Sequence, residues 1–445
     1  MKEIARHIFE HALRESSISK AFARNVSCQR GVLRVCEDLY DLDSYSRVFV
    51  IAIGKAAHGM LIALHEQVGE RFEGIVVSPI QPEFQVREFR YFHGGHPLPN
   101  AESIRAAEAM LKSVNTLNAS CLVVYLISGG GSAAAEKPID DEISLEDLIE
   151  TYRVLVHSGA PIAEINAIRK HLSAIKGGRL AQAAYPAQQV SILISDVPDS
   201  TPDALASGPT MPDSTTAEEC YAIAAKYSLI PPFAKSHAES DTHSMIGKLP
   251  SSVGELFAQH SLEETPKSDD PPFIRARWWT ILSNAALLDA AQKEAERQGF
   301  MLEIDNRCDD WDYAKAADYL LERLRELRKQ SERVCLLSGG EVTVHVENGG
   351  VGGRNQQFAL YCGERVAGEN ICVLSAGSDG IDGNSRAAGA IADGSTLERA
   401  KARGLDLKAH LSGFNAYPVF EALGDAIIVG PTGNNLRDLR ILLAY

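Results

Sequence analysis

Short apolar runs that end in glycine, serine or aspartate recur along the chain. They lie at residues 46–53, 73–78, 88–92, 121–127, 189–195, 278–282, 300–304, 333–337, 371–376 and 426–429. Amphipathic segments, with apolar residues three and four positions apart, separate many of these runs. This alternation predicts an α/β fold with buried parallel strands whose carboxyl ends carry polar, glycine-rich loops. Ligands of open α/β sheets bind at that edge, so these loops are the first candidates for a site.

The spacing of apolar residues also predicts the helices. They are expected at residues 56–68, 101–113, 284–299, 311–329 and 355–367, and the first ten residues have the pattern of an amphipathic helix. Residues 341–346 alternate between polar and apolar side chains and lead into Asn348-Gly349-Gly350, which predicts a strand and a turn.

A chain of 445 residues is too long for one compact core, so two domains are expected. The apolar pattern weakens between residues 229 and 273, where prolines and polar residues are frequent, and residues 260–273 are the predicted linker. The predicted domains cover residues 1–260 and 274–445.

Composition limits the kinds of molecule that the protein is expected to bind. The net charge is −15 and the isoelectric point is about 5.4, which disfavours binding to nucleic acid or to anionic membranes, because both need a basic surface. No apolar run approaches the roughly 18 residues that would span a bilayer, and the amino terminus does not resemble a signal peptide. The eight cysteines form no C-x-x-C pair, so we expect free thiols in a reducing cytoplasm. The expected protein is a cytoplasmic monomer or homodimer that binds small molecules.

Two predicted loops combine glycine with groups that bind phosphate. Lys55 follows Gly54 at a strand end, and it is either a solvated surface lysine or an ammonium that neutralises a phosphoryl group. Three consecutive glycines follow a second strand, and a nest of backbone N–H groups explains them better than a tight turn does. The candidate binding residues in these loops are Gly54, Ser128, Gly129, Gly130, Gly131 and Ser132.

Polar residues recur on one predicted helix face. Residues at positions three and four apart share a face, and here they are Asn166, Arg169, Lys170 and Ser173. Such a face is often only solvated. Cations are scarce in an acidic protein, however, so Asn166, Arg169 and the following Lys176 are candidate ligands for an anion.

Aspartates follow two of the predicted strands. Asp196 comes after the run at 189–195, and Asp379 and Asp382 come after the run at 371–376. Carboxylates at strand ends can bind Mg²⁺ or accept the proton of an attacking hydroxyl. The alternative is a structural role, since aspartate is common in turns and at helix starts.

Arg354 lies where a glycine loop meets a predicted helix, and its neighbours Gly353 and Asn355 are candidate binding residues for substrate or nucleotide. An arginine at a helix start beside glycine is well placed to clamp an anion through its guanidinium. The alternative is an ordinary surface arginine.

Taken in order, these motifs resemble the glycerate 2-kinase family, whose carboxyl-terminal part is called the MOFRL domain and whose members have often been labelled hydroxypyruvate reductases. The matching segments of the first part are Gly54–Ala56, Gly94–Pro99, Ser128–Ala133, Asn166–Ser173, Lys176–Ala181, Ser195–Pro198 and Ala206–Thr210. Those of the second part are Ser338–Glu341, Gly352–Gln356, Asp379–Gly383 and Gly430–Asn435. Many short motifs in the right order, over nearly the whole chain, make the resemblance specific.

The resemblance implies ATP-dependent phosphorylation of D-glycerate to 2-phosphoglycerate, with Mg²⁺ and with ADP as co-product. It also implies two α/β domains, with the active site in the cleft between them. The first would be a Rossmann-like parallel sheet with helices on both faces, over residues 1–260. The second would be a MOFRL-type α/β domain, over residues 274–445.

The resemblance also assigns roles to single residues. Lys55 and Arg354 would be the catalytic cations, and Asp379 would join them as base or metal ligand. Asp196 would be a candidate for the same base or metal role, and Asp196 and Asp382 are the predicted metal ligands. Glu341, at the end of the Ser338–Glu341 motif, would contact substrate or nucleotide.

Arg386 departs from the family's motif, because many relatives carry aspartate there, and an extra cation could change substrate size or metal geometry. A kinase for a related small hydroxyacid therefore remains an alternative. A hydroxypyruvate reductase is a second, although no G-x-G-x-x-G follows a predicted strand. A non-catalytic sugar-acid or nucleotide sensor is a third.

Overall fold

The structure is a computed structural model that describes residues 1–230, 248–346 and 349–445. The chain divides into two compact units. The first unit is residues 22–281, and the second unit combines residues 1–21 with residues 282–445.

These units differ from the predicted domains of 1–260 and 274–445 for two physical reasons. The amino-terminal helix buries Ile8 and Phe9 and packs on a helix of the second unit, so it does not belong to the first. The predicted linker at 260–273 is followed by a strand that extends the sheet of the first unit, so the boundary falls later, at residue 281.

The described helices and strands alternate along most of the chain. In the part that begins the chain and ends with the first unit they are α1 (Lys2–Glu15), α2 (Ile18–Asn25), β1 (Val26–Gln29), β2 (Val32–Val35), β3 (Asp38–Asp41), β4 (Arg47–Ile53), α3 (Ala57–Val68), β5 (Glu73–Ser78), β6 (Phe89–His93), α4 (Ala101–Val114), β7 (Cys121–Ser128), α5 (Gly131–Ala134), α6 (Leu145–His157), α7 (Ile162–His171), α8 (Arg179–Ala184), β8 (Gln188–Ile194), α9 (Ala217–Lys226), α10 (Ser251–Ala258), α11 (Pro271–Ile274) and β9 (Ala276–Leu282). In the remainder they are α12 (Asn284–Arg297), β10 (Met301–Ile304), α13 (Tyr313–Arg328), β11 (Val334–Gly340), α14 (Arg354–Arg365), β12 (Ile371–Gly377), β13 (Gly389–Asp393), α15 (Thr396–Ala402), α16 (Leu407–Ser412), α17 (Tyr417–Leu423), β14 (Ala426–Ile427) and β15 (Asp438–Ala444).

The first unit contains the parallel sheet that the sequence predicts. Its strand order is β6-β5-β4-β7-β8-β9, and the pairs from β6 through β8 are parallel. Helices cover both faces: α4 adds Met110 to the core over Ile51, and α3 contacts β4 and β5. Ile53 lies opposite Ile127 in the central pair, so the loops after β4 and β7 leave the sheet side by side. The α/β prediction is confirmed here, whereas the antiparallel β1-β2-β3 sheet was not predicted.

The second unit contains a mixed sheet of order β10-β11-β15-β12-β13-β14. The strands β11 and β12 run in the same direction, as predicted, but they are not neighbours. β15 lies between them and is antiparallel to both, which corrects the prediction of a parallel sheet. The predicted strand at 341–346 is wrong, because only Thr343 forms an isolated bridge there, to Asp312. The turn predicted with it lies partly outside the described residues.

All eight cysteines are free, as predicted, and six of them are buried. Among the described residues no helix is both long and apolar enough to cross a membrane.

Candidate active site

The loops after β4 and β7 are joined by backbone contacts that only glycine permits. Gly54 has a φ of +114°, and a Cβ there would lie 2.4 Å from the carbonyl oxygen of Ser128. The Lys55 amide donates to the Gly129 carbonyl over 2.9 Å, and the Ser128 hydroxyl accepts the Ala56 amide over 3.0 Å. The two predicted phosphate loops therefore form one local structure.

Asp196 and Lys55 lie on the two sides of this glycine run. A Cβ on Gly129 would lie 1.8 Å from Oδ2 of Asp196, and a Cβ on Gly130 would lie 3.0 Å from Cγ of Lys55. The Lys55 stem therefore packs across Gly130, while the Asp196 carboxylate packs against Gly129. Ser132 is tied to the neighbouring turn by a 2.8 Å hydrogen bond to Ser207. The structure brings these three predicted site segments and the Ala206–Thr210 motif together.

The pKa of His96 is lowered below its ordinary value, first because the ring is partly buried and second because the Lys55 ammonium repels the charged form. His96 thus lies within electrostatic range of Lys55, and it belongs to the Gly94–Pro99 motif.

The predicted cation face of residues 166–176 is mostly structural. α7 ends at His171, so Ser173 and Lys176 lie beyond it. Lys170 is buried between Asp203 and Asp213, at 2.7 and 3.0 Å. Asn166 is half-exposed on α7, and the Arg169 guanidinium lies 4.4 Å from the centre of the Tyr152 ring.

Lys176 is fully buried in a polar cluster of the first unit. Its ammonium pairs with the Glu136 carboxylate and lies 3.0 Å from the Tyr152 hydroxyl. Ser173 donates to Glu136 over 2.6 Å. Burial lowers the pKa of Lys176 well below its ordinary value. An ammonium enclosed in this way has no surface left for a ligand, which corrects its assignment as a binding residue.

Replacing Lys176 by methionine is expected to lower the free energy of unfolding by about 3–5 kcal/mol, because Glu136 would become a buried, unpaired charge. The double variant K176M/E136Q should recover much of that loss. Urea unfolding measures both. As the control, K137M removes an ammonium that pairs with the exposed Asp141, and it should change stability by less than about 1 kcal/mol. A small change in the free energy of unfolding in K176M would contradict a buried ion pair between Lys176 and Glu136.

In the second unit, Arg354 is the first residue of α14 and is held by two carboxylates. Its Nε and Nη2 donate to Oδ2 and Oδ1 of Asp438 over 2.6 and 3.0 Å. Nη2 also lies 2.8 Å from Oε1 of Glu341. The Arg354 side chain is 36% exposed whereas that of Asp438 is fully buried, so the guanidinium is anchored from inside and reaches solvent on its other side.

Asp382 caps the start of α14. Its carboxylate accepts the amides of Asn355 and Gln356, over 3.1 and 2.9 Å, and the side chain of Gln356 over 2.9 Å. A Cβ on Gly353 would lie 2.3 Å from Oδ1 of Asp382, so glycine is needed for this approach. Burial raises the pKa of Asp382 to about 6, although these hydrogen bonds favour the charged form. Asp382 therefore has the structural role that the sequence left open, and its assignment to a metal does not fit.

Asp379 and Arg354 line a cavity of about 670 Å³ in the second unit. Glu341 and Asp310 add two carboxylates to the wall. The apolar part of the lining is formed by Val342, Val344, Val346, Ile381 and Phe414. A cavity of this size, with charged groups beside an apolar wall, is typical of a small-molecule site.

Family models, curated relatives and a solved structure all match this chain. The family model "Domain of unknown function (DUF4147)" matches residues 4–239, and the MOFRL family model matches residues 334–438. The D-glycerate 2-kinase of Thermotoga maritima is 35% identical over 89% of this chain and 90% of that protein. The glycerate 2-kinase of Pyrococcus horikoshii is 33% identical over 89% of this chain and 87% of that protein.

The chain belongs to the glycerate 2-kinase family. The crystal structure of a glycerate kinase from Thermotoga maritima matches it with a TM-score of 0.84, at 32% identity, over 100% of this chain and 99% of that chain. The resemblance read from the sequence is thereby confirmed, together with the α/β fold.

Arg386, the departure from the usual glycerate 2-kinase motif, lies on the surface of the second unit. Its Nε donates to the Tyr417 hydroxyl over 2.7 Å, and Nη2 pairs with Glu421 over 2.9 Å. The Arg386 side chain is 73% exposed and does not line the cavity. The extra cation therefore has a local partner on the surface.

Asp438, which holds Arg354, is the residue that the sequence interpretation missed. It opens β15, a strand that was not predicted because Asp438 and Arg440 interrupt its apolar pattern. The Gly430–Asn435 motif that directly precedes it was the available signal.

Proposed function

We propose that the protein transfers the γ-phosphoryl group of ATP to a hydroxyl of D-glycerate, which gives 2-phosphoglycerate and ADP. The observation that carries this proposal is the cavity beside Arg354, in a chain whose relatives are named glycerate 2-kinases. Arg354 presents a cation of fixed orientation, and the cavity is large enough for a small phosphorylated ligand.

Transfer of a phosphoryl group depends mainly on positioning and on neutralisation of charge. In the second unit the guanidinium of Arg354 binds and orients phosphoryl oxygens. In the first unit the Lys55 side chain packs over Gly130, and its ammonium neutralises negative charge on phosphoryl oxygens. Asp379, at the cavity wall, accepts the proton of the attacking hydroxyl.

Mg²⁺ is the metal that the family implies, and one or two carboxylates with substrate phosphates are enough to bind it. Asp196 beside Gly129 fits that role, and Asp379 fits it as an alternative to its role as base. Asp382 does not, because its oxygens already accept hydrogen bonds from α14. Bound Mg²⁺ would supply neutralisation of phosphate charge. Within the described residues there is no group of three or more metal-binding side chains.

The test is glycerate-dependent release of ADP from MgATP, with the product identified by ³¹P and ¹³C NMR. Phosphate on O2 of glycerate would support the proposal, and phosphate on O3 would overturn the product assignment. Turnover only with four-carbon hydroxyacids would favour the related kinase. Oxidation of NADH by hydroxypyruvate, without ADP release, would favour the reductase.

Replacing Gly129 by alanine is expected to lower kcat at least about 10-fold, because the new Cβ would displace the Asp196 carboxylate. The control is G254A in α10, where no described atom lies within 4 Å of the new Cβ and where alanine favours the helix. Steady-state kinetics of both variants check the expectation. Equal kcat for G129A and G254A would contradict a role for the loop.

A further inference from the structure

A buried carboxylate, that of Asp438, lies at the start of β15, beside charged groups of the cavity. In the sheet register Asp438 lies opposite Gly340 on β11 and opposite Gly377 on β12. Those two strands lead directly to Glu341 and Asp379, which both line the cavity. Asp438 therefore lies between the starts of both cavity loops.

The contacts of Asp438 single out one side of Arg354. Both of its carboxylate oxygens accept hydrogen bonds from Nε and Nη2, the inner edge of the guanidinium. A bidentate pair of this kind fixes the plane of the guanidinium as well as its place. The Nη1 side is not used by Asp438, and Arg354 reaches the cavity.

A buried arginine of β15, Arg440, supports the same arrangement. Arg440 is fully buried, its Nη2 donates to the carbonyls of Gly339 and Gly340, and its Nη1 lies 4.0 Å from Oδ2 of Asp438. Two guanidinium groups, those of Arg354 and Arg440, thus lie within 4.0 Å of the Asp438 carboxylate.

We propose that Asp438 is a positioning residue, which fixes the guanidinium of Arg354 so that its outer side faces the phosphoryl group. The role depends on the proposed function, since Arg354 is the catalytic cation there. Asp438 itself touches no substrate and acts only through Arg354.

The test is a double-mutant cycle of D438N with R354M, measured by kcat, KM and thermal unfolding. D438N alone should lower kcat about 10- to 100-fold, because the guanidinium loses its fixed plane. In R354M, D438N should lower kcat no further, and it should raise the melting temperature, because it removes a buried carboxylate that has lost its main partner. A purely structural carboxylate would lower kcat and stability independently in both backgrounds, and that result would overturn the proposal.

The matched control is D425N, which removes another buried carboxylate of the same unit, paired with Arg399 and with Lys2, each at 2.7 Å. It should lower the melting temperature while kcat stays within about 2-fold of the wild type. Loss of kcat in D425N equal to that in D438N would count against positioning.

A readout without turnover separates failure of this role from failure of the proposed function. With ¹⁵N-labelled arginine, the Nε–Hε signal of Arg354, assigned by its loss in R354M, should exchange slowly with water in the wild type. D438N should abolish that protection, whereas D425N should not. If the wild type turned over no glycerate, the proposed function would fail while this signal still decided whether Asp438 holds Arg354. Unchanged protection in D438N would overturn the positioning role.

Discussion

Arg354→Lys is expected to lower kcat about 10²- to 10³-fold while the protein stays folded. Lysine keeps the positive charge opposite Asp438 but loses the planar fork that makes both hydrogen bonds, so phosphoryl oxygens lose an oriented donor. Arg354→Lys is preferable to alanine, which would leave Asp438 buried without its main partner. Steady-state kinetics with MgATP and D-glycerate give the measurement.

The control for this substitution is Arg386→Lys, in the same unit. Arg386 is exposed, and its pair with Glu421 contributes less than about 1 kcal/mol to stability. Its kcat should match the wild type. Near-wild-type turnover of R354K would contradict a catalytic role for Arg354. A melting temperature of R354K far below that of R386K would mean that the turnover is lost because the protein unfolds.

Lys55→Met is expected to lower kcat about 10²-fold with little change in stability. The side chain is exposed, and methionine can replace its aliphatic stem over Gly130, so the change removes little more than the charge. That charge is the proposed neutralising group of the first unit, and loss of one such group typically costs a factor of this size. The comparison is with Lys112→Met, an exposed lysine near the end of α4.

A second measurement on the same variant checks the geometry without turnover. The Lys55 ammonium contributes to the lowered pKa of His96, after burial. In K55M the pKa of His96 should therefore rise, as followed by NMR titration of its ring, and in K112M it should not. Wild-type kcat together with an unmoved His96 titration would mean that Lys55 is an ordinary surface lysine.

The sequence predicts the first unit well because its signals are local. Each buried parallel strand is an apolar run, and each loop that must approach another backbone needs glycine, as Gly54 and Gly129 do. The same local signals cannot separate a functional from a structural role at Asp382. An aspartate after a strand has the same sequence pattern whether it binds a metal or caps a helix that lies elsewhere in the chain.

Lys176 and Asp438 show the other limit of the sequence interpretation. A lysine in a glycine-rich segment suggests an anion site. The Lys176 side chain is nevertheless fully buried, and its partner Glu136 lies 40 residues away in the chain. Asp438 is 84 residues from Arg354, on a strand whose charged residues conceal its buried position. Pairings of this kind depend on tertiary contacts, which periodicity does not report.

The position of β15 also has a consequence for how the protein is made. Among the described strands of the second sheet, all others precede β15 in the chain, yet β15 joins β10–β11 to β12–β14. A ribosome therefore releases all partners of the sheet before it releases the strand that unites them. The helix α1 is synthesised first, but α12, which packs on its apolar face, is synthesised only after the whole first unit. The first unit can fold during translation, whereas nascent chains stalled before residue 438 should still expose the second unit's unfinished core to chaperones and proteases.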